Sequence, residues 1–90
     1  MANTPHTPHP ATRESVLRAV AECDELGERE FLARHGYRPS LRYKLVVAGR
    51  EYPSKAILGV ARGLTARQFS GGAAHTVRTL VHLGFEVVAK

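Results

Sequence analysis

The sequence predicts an α+β domain of four helices and a small three-stranded sheet, and three observations lead there. Apolar residues recur at helical spacing in four segments bounded by Gly or Pro, from Thr12, Glu28, Ser54 and Gly71 onward. Two short runs rich in β-branched and aromatic residues flank Ala48-Gly49, the signature of a hairpin, and a third such run closes the chain. No segment duplicates another.

The opening MANTPHTPHPA has short-range repetition and no apolar periodicity, so residues 1–11 are expected to form a disordered tail ahead of a single domain over 12–90. Thr12 suits an N-cap, and Val16, Leu17, Val20, Cys23 and Leu26 share one face of the helix that runs to Leu26 and ends at Gly27. Glu28 to His35 makes a shorter helix whose apolar residues are Phe31 and Leu32, closed by Gly36. Tyr37 to Arg42, with Pro39, reads as a connection. Tyr43 to Val47 and Arg50 to Tyr52 form the hairpin.

Pro53 fits the first turn of a helix, because its missing N–H is no loss there. That helix runs from Ser54 to Leu64, with Ala56, Ile57, Val60, Ala61 and Leu64 inward and Leu58 left as an exposed apolar group. Ser70 is placed as N-cap of a last helix that opens on Gly71 and Gly72 and continues to Leu83, with Val77, Leu80 and Val81 inward and Gly84 at its C-cap. Phe85 to Ala89 is the closing strand, added to the hairpin.

Ninety residues carry only a thin core, so a surface-binding role is favoured over a deep active site. Catalytic material is scarce as well. Asp24 is the only aspartate and Asn3 the only asparagine, which leaves little for a paired-carboxylate or His-Asn-His nuclease, and Glu51 beside Lys55 is a minimal pair at best. His75 and His82 stand two turns apart, too far for one metal without further ligands, and the lone Cys23 excludes an internal disulfide. No enzyme activity, metal or cofactor is expected. No apolar run approaches about 18 residues and no secretory signal opens the chain, so a cytoplasmic, nucleoid-associated protein is expected.

The net charge of +5 is unevenly spread. Residues 1–30 set Arg13, Arg18 and Arg29 against six acids, a balance of −3, whereas residues 31–90 set ten cations against Glu51 and Glu86, a balance of +8. A polyanion met by the later two-thirds of the chain is the natural partner. The acidic first helix supports a second reading, a protein-interaction or dimerisation module that binds a basic effector or another copy.

Tyr52 to Gly72 concentrates the candidate chemistry, with two helix starts whose dipole ends and amides suit phosphate. Lys55 and Arg62 flank Gly59 on one helix, and Arg50 and Arg67 adjoin it. Gly59 costs the helix about 1 kcal/mol against alanine, so it serves either the approach of a ligand backbone or a tight helix crossing. Gly71 and Gly72 either permit a turn or bring bare amides to a phosphate, and the spacing of a nucleotide-binding loop is absent. Phe69, Tyr52 and Leu58 are the apolar groups placed to sense a base methyl. Without tryptophan, reading in a groove is favoured over extruding a base.

Leu26-Gly27, Phe31-Leu32, Tyr52-Pro-Ser-Lys-Ala-Ile57, Gly59, Phe69-Ser-Gly-Gly72 and Leu83-Gly-Phe85 together resemble the N-terminal helical head domain of McrA-like, modification-dependent restriction endonucleases. The likeness covers residues 13–89. It implies recognition of modified, chiefly methylated, double-stranded DNA through Tyr52, Ser54, Lys55, Phe69, Ser70, Gly71 and Gly72. The family's nuclease has no counterpart in these ninety residues, so the resemblance implies a reader without cleavage, and it leaves 5-methylcytosine, N6-methyladenine and phosphorothioate equally open.

Overall fold

A computed structural model describes residues 9–39, 42–69 and 71–90. The element order is α1 (Arg13–Leu26), α2 (Glu28–His35), β1 (Tyr43–Val47), β2 (Arg50–Pro53), α3 (Ser54–Ala61), α4 (Ala73–His82) and β3 (Glu86–Ala89). The α+β class holds, with four helices and one antiparallel sheet ordered β2-β1-β3. Tail residues 1–8 and Ser40, Leu41 and Ser70 lie outside the described residues, so the expectations for those positions do too. His9 is described, and its N–H donates to the Arg62 carbonyl at 3.2 Å.

α1 starts where its cap chemistry says it should. The Thr12 hydroxyl accepts from the Ser15 N–H at 3.0 Å while the Ser15 hydroxyl accepts from the Thr12 N–H at 2.9 Å, a reciprocal capping box. Thr12→Ala is expected to cost about 1 kcal/mol, a fall of roughly 5 °C in the melting temperature of a domain this small. An unchanged thermal midpoint would show that the cap contributes nothing.

Val16, Ala19, Val20 and Cys23 form the buried stripe of α1. Leu17 was expected inward, but it lies about 100° round the helix from Val16 and is 39% exposed. Gly27 ends α1, and Gly36 closes α2 in the left-handed conformation at φ 77°. In the hairpin, Ala48 at φ 52° and Gly49 at φ 79° place both central residues at positive φ. This is the two-residue turn whose twist matches the strands. Leu45 of β1 faces Tyr52 of β2 and Val87 of β3, so the middle strand places a fully buried side chain at the centre of the sheet.

Both later helices are shorter than the periodicity implied. Pro53 belongs to β2 and serves as N-cap of α3 rather than as its first helical residue. α3 stops at Ala61 because Gly63 takes φ 73°, and the Leu64 N–H turns back to the Gly59 carbonyl at 2.8 Å. α4 begins at Ala73 with Gly72 as its cap, so Gly71 does not open it. Thr76 and Leu80 mark its buried stripe; Val77 is half-buried and Val81, one step round from Leu80, is 53% exposed. Leu58 is fully buried with Ile57 and Phe31 in the core, which corrects its reading as an exposed group.

Candidate functional site

Neither α3 nor α4 has a side-chain N-cap hydrogen bond, because Pro53 and Gly72 hold the capping positions. Among the described residues no capping side chain meets their first-turn amides, which carry the positive ends of the helix dipoles. Both starts open on one cavity of about 410 Å³, lined by Ser54 and Lys55 of α3 and by Ala73 and Thr76 of α4. Its apolar walls come from Tyr37, Pro39, Tyr43 and Ala66. Arg38 and Arg42 join Lys55 around it, and no acidic residue lines it among the described residues.

Lys55 links this cavity to a second cation. The Lys55 ammonium lies 5.6 Å from the centre of the Phe69 ring, and the Arg62 guanidinium 5.9 Å from the same ring. Both cations are held by the quadrupole of this one ring, each by about 0.5–1 kcal/mol. His75 meets Phe69 edge-on at 6.3 Å between ring centres, and Arg62 and His75 line a further cleft with Thr79. A basic band thus runs from Arg38 and Arg42 through Lys55 to Arg62. Arg67 is exposed in the turn before Phe69.

The other expected site residues fall elsewhere. Arg50 pairs with Asp24 of α1 at 3.1 Å, and the Tyr52 hydroxyl donates to the same carboxylate at 2.7 Å. Arg50 is turned to an acid although its side chain is 70% exposed, and Tyr52 is 5% exposed. Ser54 is buried and its hydroxyl donates to the Tyr43 carbonyl at 2.9 Å, so its side chain is not offered to a phosphate. Phe69 is 4% exposed beneath its cations and Leu58 is fully enclosed, so none of the three residues placed to sense a methyl presents a free apolar surface.

The glycines divide by geometry. A Cβ on Gly59 would stand 1.9 Å from the Tyr37 hydroxyl oxygen, which decides for tight packing over ligand approach. Gly71 is likewise filled, since a Cβ there would meet Phe69 and His75 at 2.6 Å each. A Cβ on Gly72 would meet nothing within 4 Å. Arg38, Arg42 and the cavity escaped the sequence reading. The signal was two arginines flanking Pro39 in a connection, a pattern with no periodicity to mark it.

The acids of the first two helices are partly spent within the chain. Glu22 meets His35 at 2.8 Å, Glu28 meets Lys44 at 3.9 Å, and Glu30 meets Arg34 at 3.4 Å. Among the described residues no salt bridge engages Arg38, Arg42, Lys55, Arg62 or Arg67. The charge asymmetry of the sequence is therefore also a spatial one.

Burial pushes the Cys23 thiol up to about 11, with Glu28, Asp24 and Glu22 adding to the rise. At pH 8 only about a thousandth of it is thiolate, so native protein should react with a thiol reagent far more slowly than urea-unfolded protein. Equal rates would show an accessible, ionised cysteine. Among the described residues no three His, Cys, Asp or Glu side chains gather to hold a metal, and no helix is long and apolar enough to cross a membrane.

Fold and site together define a small α+β module with a basic cavity between two helix starts. The chain belongs to the family described as ScoMcrA-like, N-terminal head domain, whose model matches residues 9–89. It is also similar to a solved structure, that of the Type IV phosphorothioation-dependent restriction endonuclease ScoMcrA, at 33% sequence identity and a TM-score of 0.71. That match covers 91% of this chain but 13% of the enzyme's chain, so the similarity is to one part of a larger protein. No curated protein matches the chain.

Proposed function

We propose that this domain binds double-stranded DNA, with preference for modified over unmodified duplex, and reads it without cutting it. The observation that carries the reading is the convergence of two uncapped helix starts with Lys55, Arg38 and Arg42 around one cavity that no acid lines. Phosphates are held by Lys55, Arg62 and Arg67 and by the amides at the start of α4, including Gly72. Phe69 contributes by holding Lys55 and Arg62 in place rather than by touching a base.

The matched enzyme is named for its dependence on phosphorothioation, which supports modified DNA as the target. It does not rank a sulfur-bearing phosphate above 5-methylcytosine or N6-methyladenine. A gel-shift series with one duplex in four forms, unmodified, 5-methylcytosine, N6-methyladenine and phosphorothioate, at two salt concentrations separates them. The expected result is tighter binding to at least one modified form, with a slope of log affinity against log salt of roughly −3 for three phosphate contacts. Equal affinity for all four forms would refute the preference. No binding at low salt would refute the DNA reading, and protein-dependent cleavage with Mg²⁺ or Mn²⁺ would overturn the non-catalytic one.

A further inference from the structure

We infer that the cavity between the starts of α3 and α4 receives a single unpaired nucleotide, its base between the apolar walls and its phosphate against Lys55 and the helix amides. The inference rests on the DNA-binding reading and deepens it by naming what enters. A volume of about 410 Å³ falls within the range of roughly 300–1,000 Å³ typical of small-molecule sites. A bare phosphate or sulfate does not account for the walls, because Tyr37, Pro39, Tyr43, Ala66 and Ala73 are apolar or aromatic. A purely apolar ligand does not account for Arg38, Arg42, Lys55 and two helix dipoles around it. A planar ring joined to an anion satisfies both.

Two further features fit a base. Tyr43 is half-buried at the wall, where an unstacked ring finds an aromatic face in place of its lost neighbours. Thr76, one of the lining residues, is 2% exposed, and its hydroxyl has no hydrogen-bond partner among the described residues. Buried hydroxyls are ordinarily paired, so a spare one beside a cavity marks polar capacity for a ligand edge. The thin core that argued against a deep site nonetheless leaves this space, lined by the connection 36–39, Ala66 and the first turn of α4.

The same chemistry has two sources, a base extruded from DNA and a free mononucleotide, and the test separates them. Affinity is measured for a fully paired duplex and for the same duplex with one mismatched base, in the wild type, in Ala73→Phe and in Ala66→Phe. Ala73 is exposed at the first position of α4, so its variant keeps the test valid if Ala66→Phe fails to fold. Amide shifts of Tyr43, Ala66 and Ala73 are followed by NMR on adding dCMP or dAMP. A mismatch is easier to extrude, so the wild type is expected to bind the mismatched duplex about tenfold tighter. A filled cavity should erase that preference, so that each variant binds the paired and the mismatched duplex with equal affinity.

Equal wild-type affinity for the two duplexes, or a preference that survives in both filled variants, would overturn the inference while DNA binding stands. Failure to bind any duplex would overturn the DNA reading, and shifts of those amides by mononucleotide would then assign the cavity to free nucleotides. Absence of both duplex binding and such shifts would overturn the cavity assignment as well.

Discussion

Lys55→Glu combined with Arg62→Glu is expected to weaken duplex binding by roughly 100-fold at moderate salt and to flatten the salt dependence by about two in slope. Both cations stand near one Phe69 ring, 5.6 and 5.9 Å from its centre, so they are neighbours and are expected to meet the same stretch of phosphates. Reversal removes two favourable contacts and adds two repulsive ones, whereas among the described residues neither side chain is part of a salt bridge that the fold would miss. The proper control is Arg50→Glu. Arg50 carries the same charge but answers Asp24, so its reversal should change affinity by no more than about threefold. If the double variant binds as the wild type does, or if Arg50→Glu is equally damaging, the assigned surface is wrong. Circular dichroism of each variant confirms that folding is intact.

Gly59→Ala is expected to destabilise the domain by about 2 kcal/mol or more, a fall of roughly 10 °C in melting temperature. Helix propensity alone points the other way, since alanine in a helix interior is worth about 1 kcal/mol over glycine. Packing outweighs it. The new methyl would stand 1.9 Å from the Tyr37 hydroxyl oxygen and 2.6 Å from its ring carbon Cζ, and that hydroxyl donates to the Leu64 carbonyl at 2.8 Å. Burial lifts the Tyr37 hydroxyl to about 12 despite the opposing charge of Arg62, so it stays a neutral donor and the bond persists through ordinary pH. The tyrosine can move only by giving up that bond. A double-mutant cycle with Tyr37→Ala tests the cause: once the ring is gone, Gly59→Ala meets only Phe69 at 3.0 Å and should cost far less, a coupling that independent sites would not show. A rise in melting temperature for Gly59→Ala alone would refute the account. Because Tyr37 also forms a cavity wall, the cycle links the stability of α3 to the shape of the candidate site.

Several features were legible because a few neighbouring residues decide them. The Thr12 cap, the glycine ends of α1 and α2, and the Ala48-Gly49 turn each depend on local backbone geometry, and each lies where the pattern put it. The basic band was half legible. Lys55 and Arg62 share a helix face by spacing, but that they meet over Phe69 depends on a loop whose course no periodicity describes. Arg50 looked like its neighbours in charge, and its pairing with Asp24, twenty-six residues away, had no sequence signal. Leu58 was misplaced because α3 is covered on more sides than a single apolar stripe implies: six of its eight residues are buried.

By itself the chain determined the α+β class, the order of its elements and the separation of an acidic beginning from a basic remainder, since these follow from period, caps and composition. Only the tertiary structure decided what Gly59 is for, which cations remain free of acids, and that two helix starts share one cavity. Those outcomes depend on side chains brought together from distant positions, as where the Tyr37 hydroxyl reaches Leu64 twenty-seven residues on. A cavity has no residues of its own; it is the space left when α3, α4 and two connections pack as closely as their side chains allow, and its volume follows from that packing rather than from any one segment.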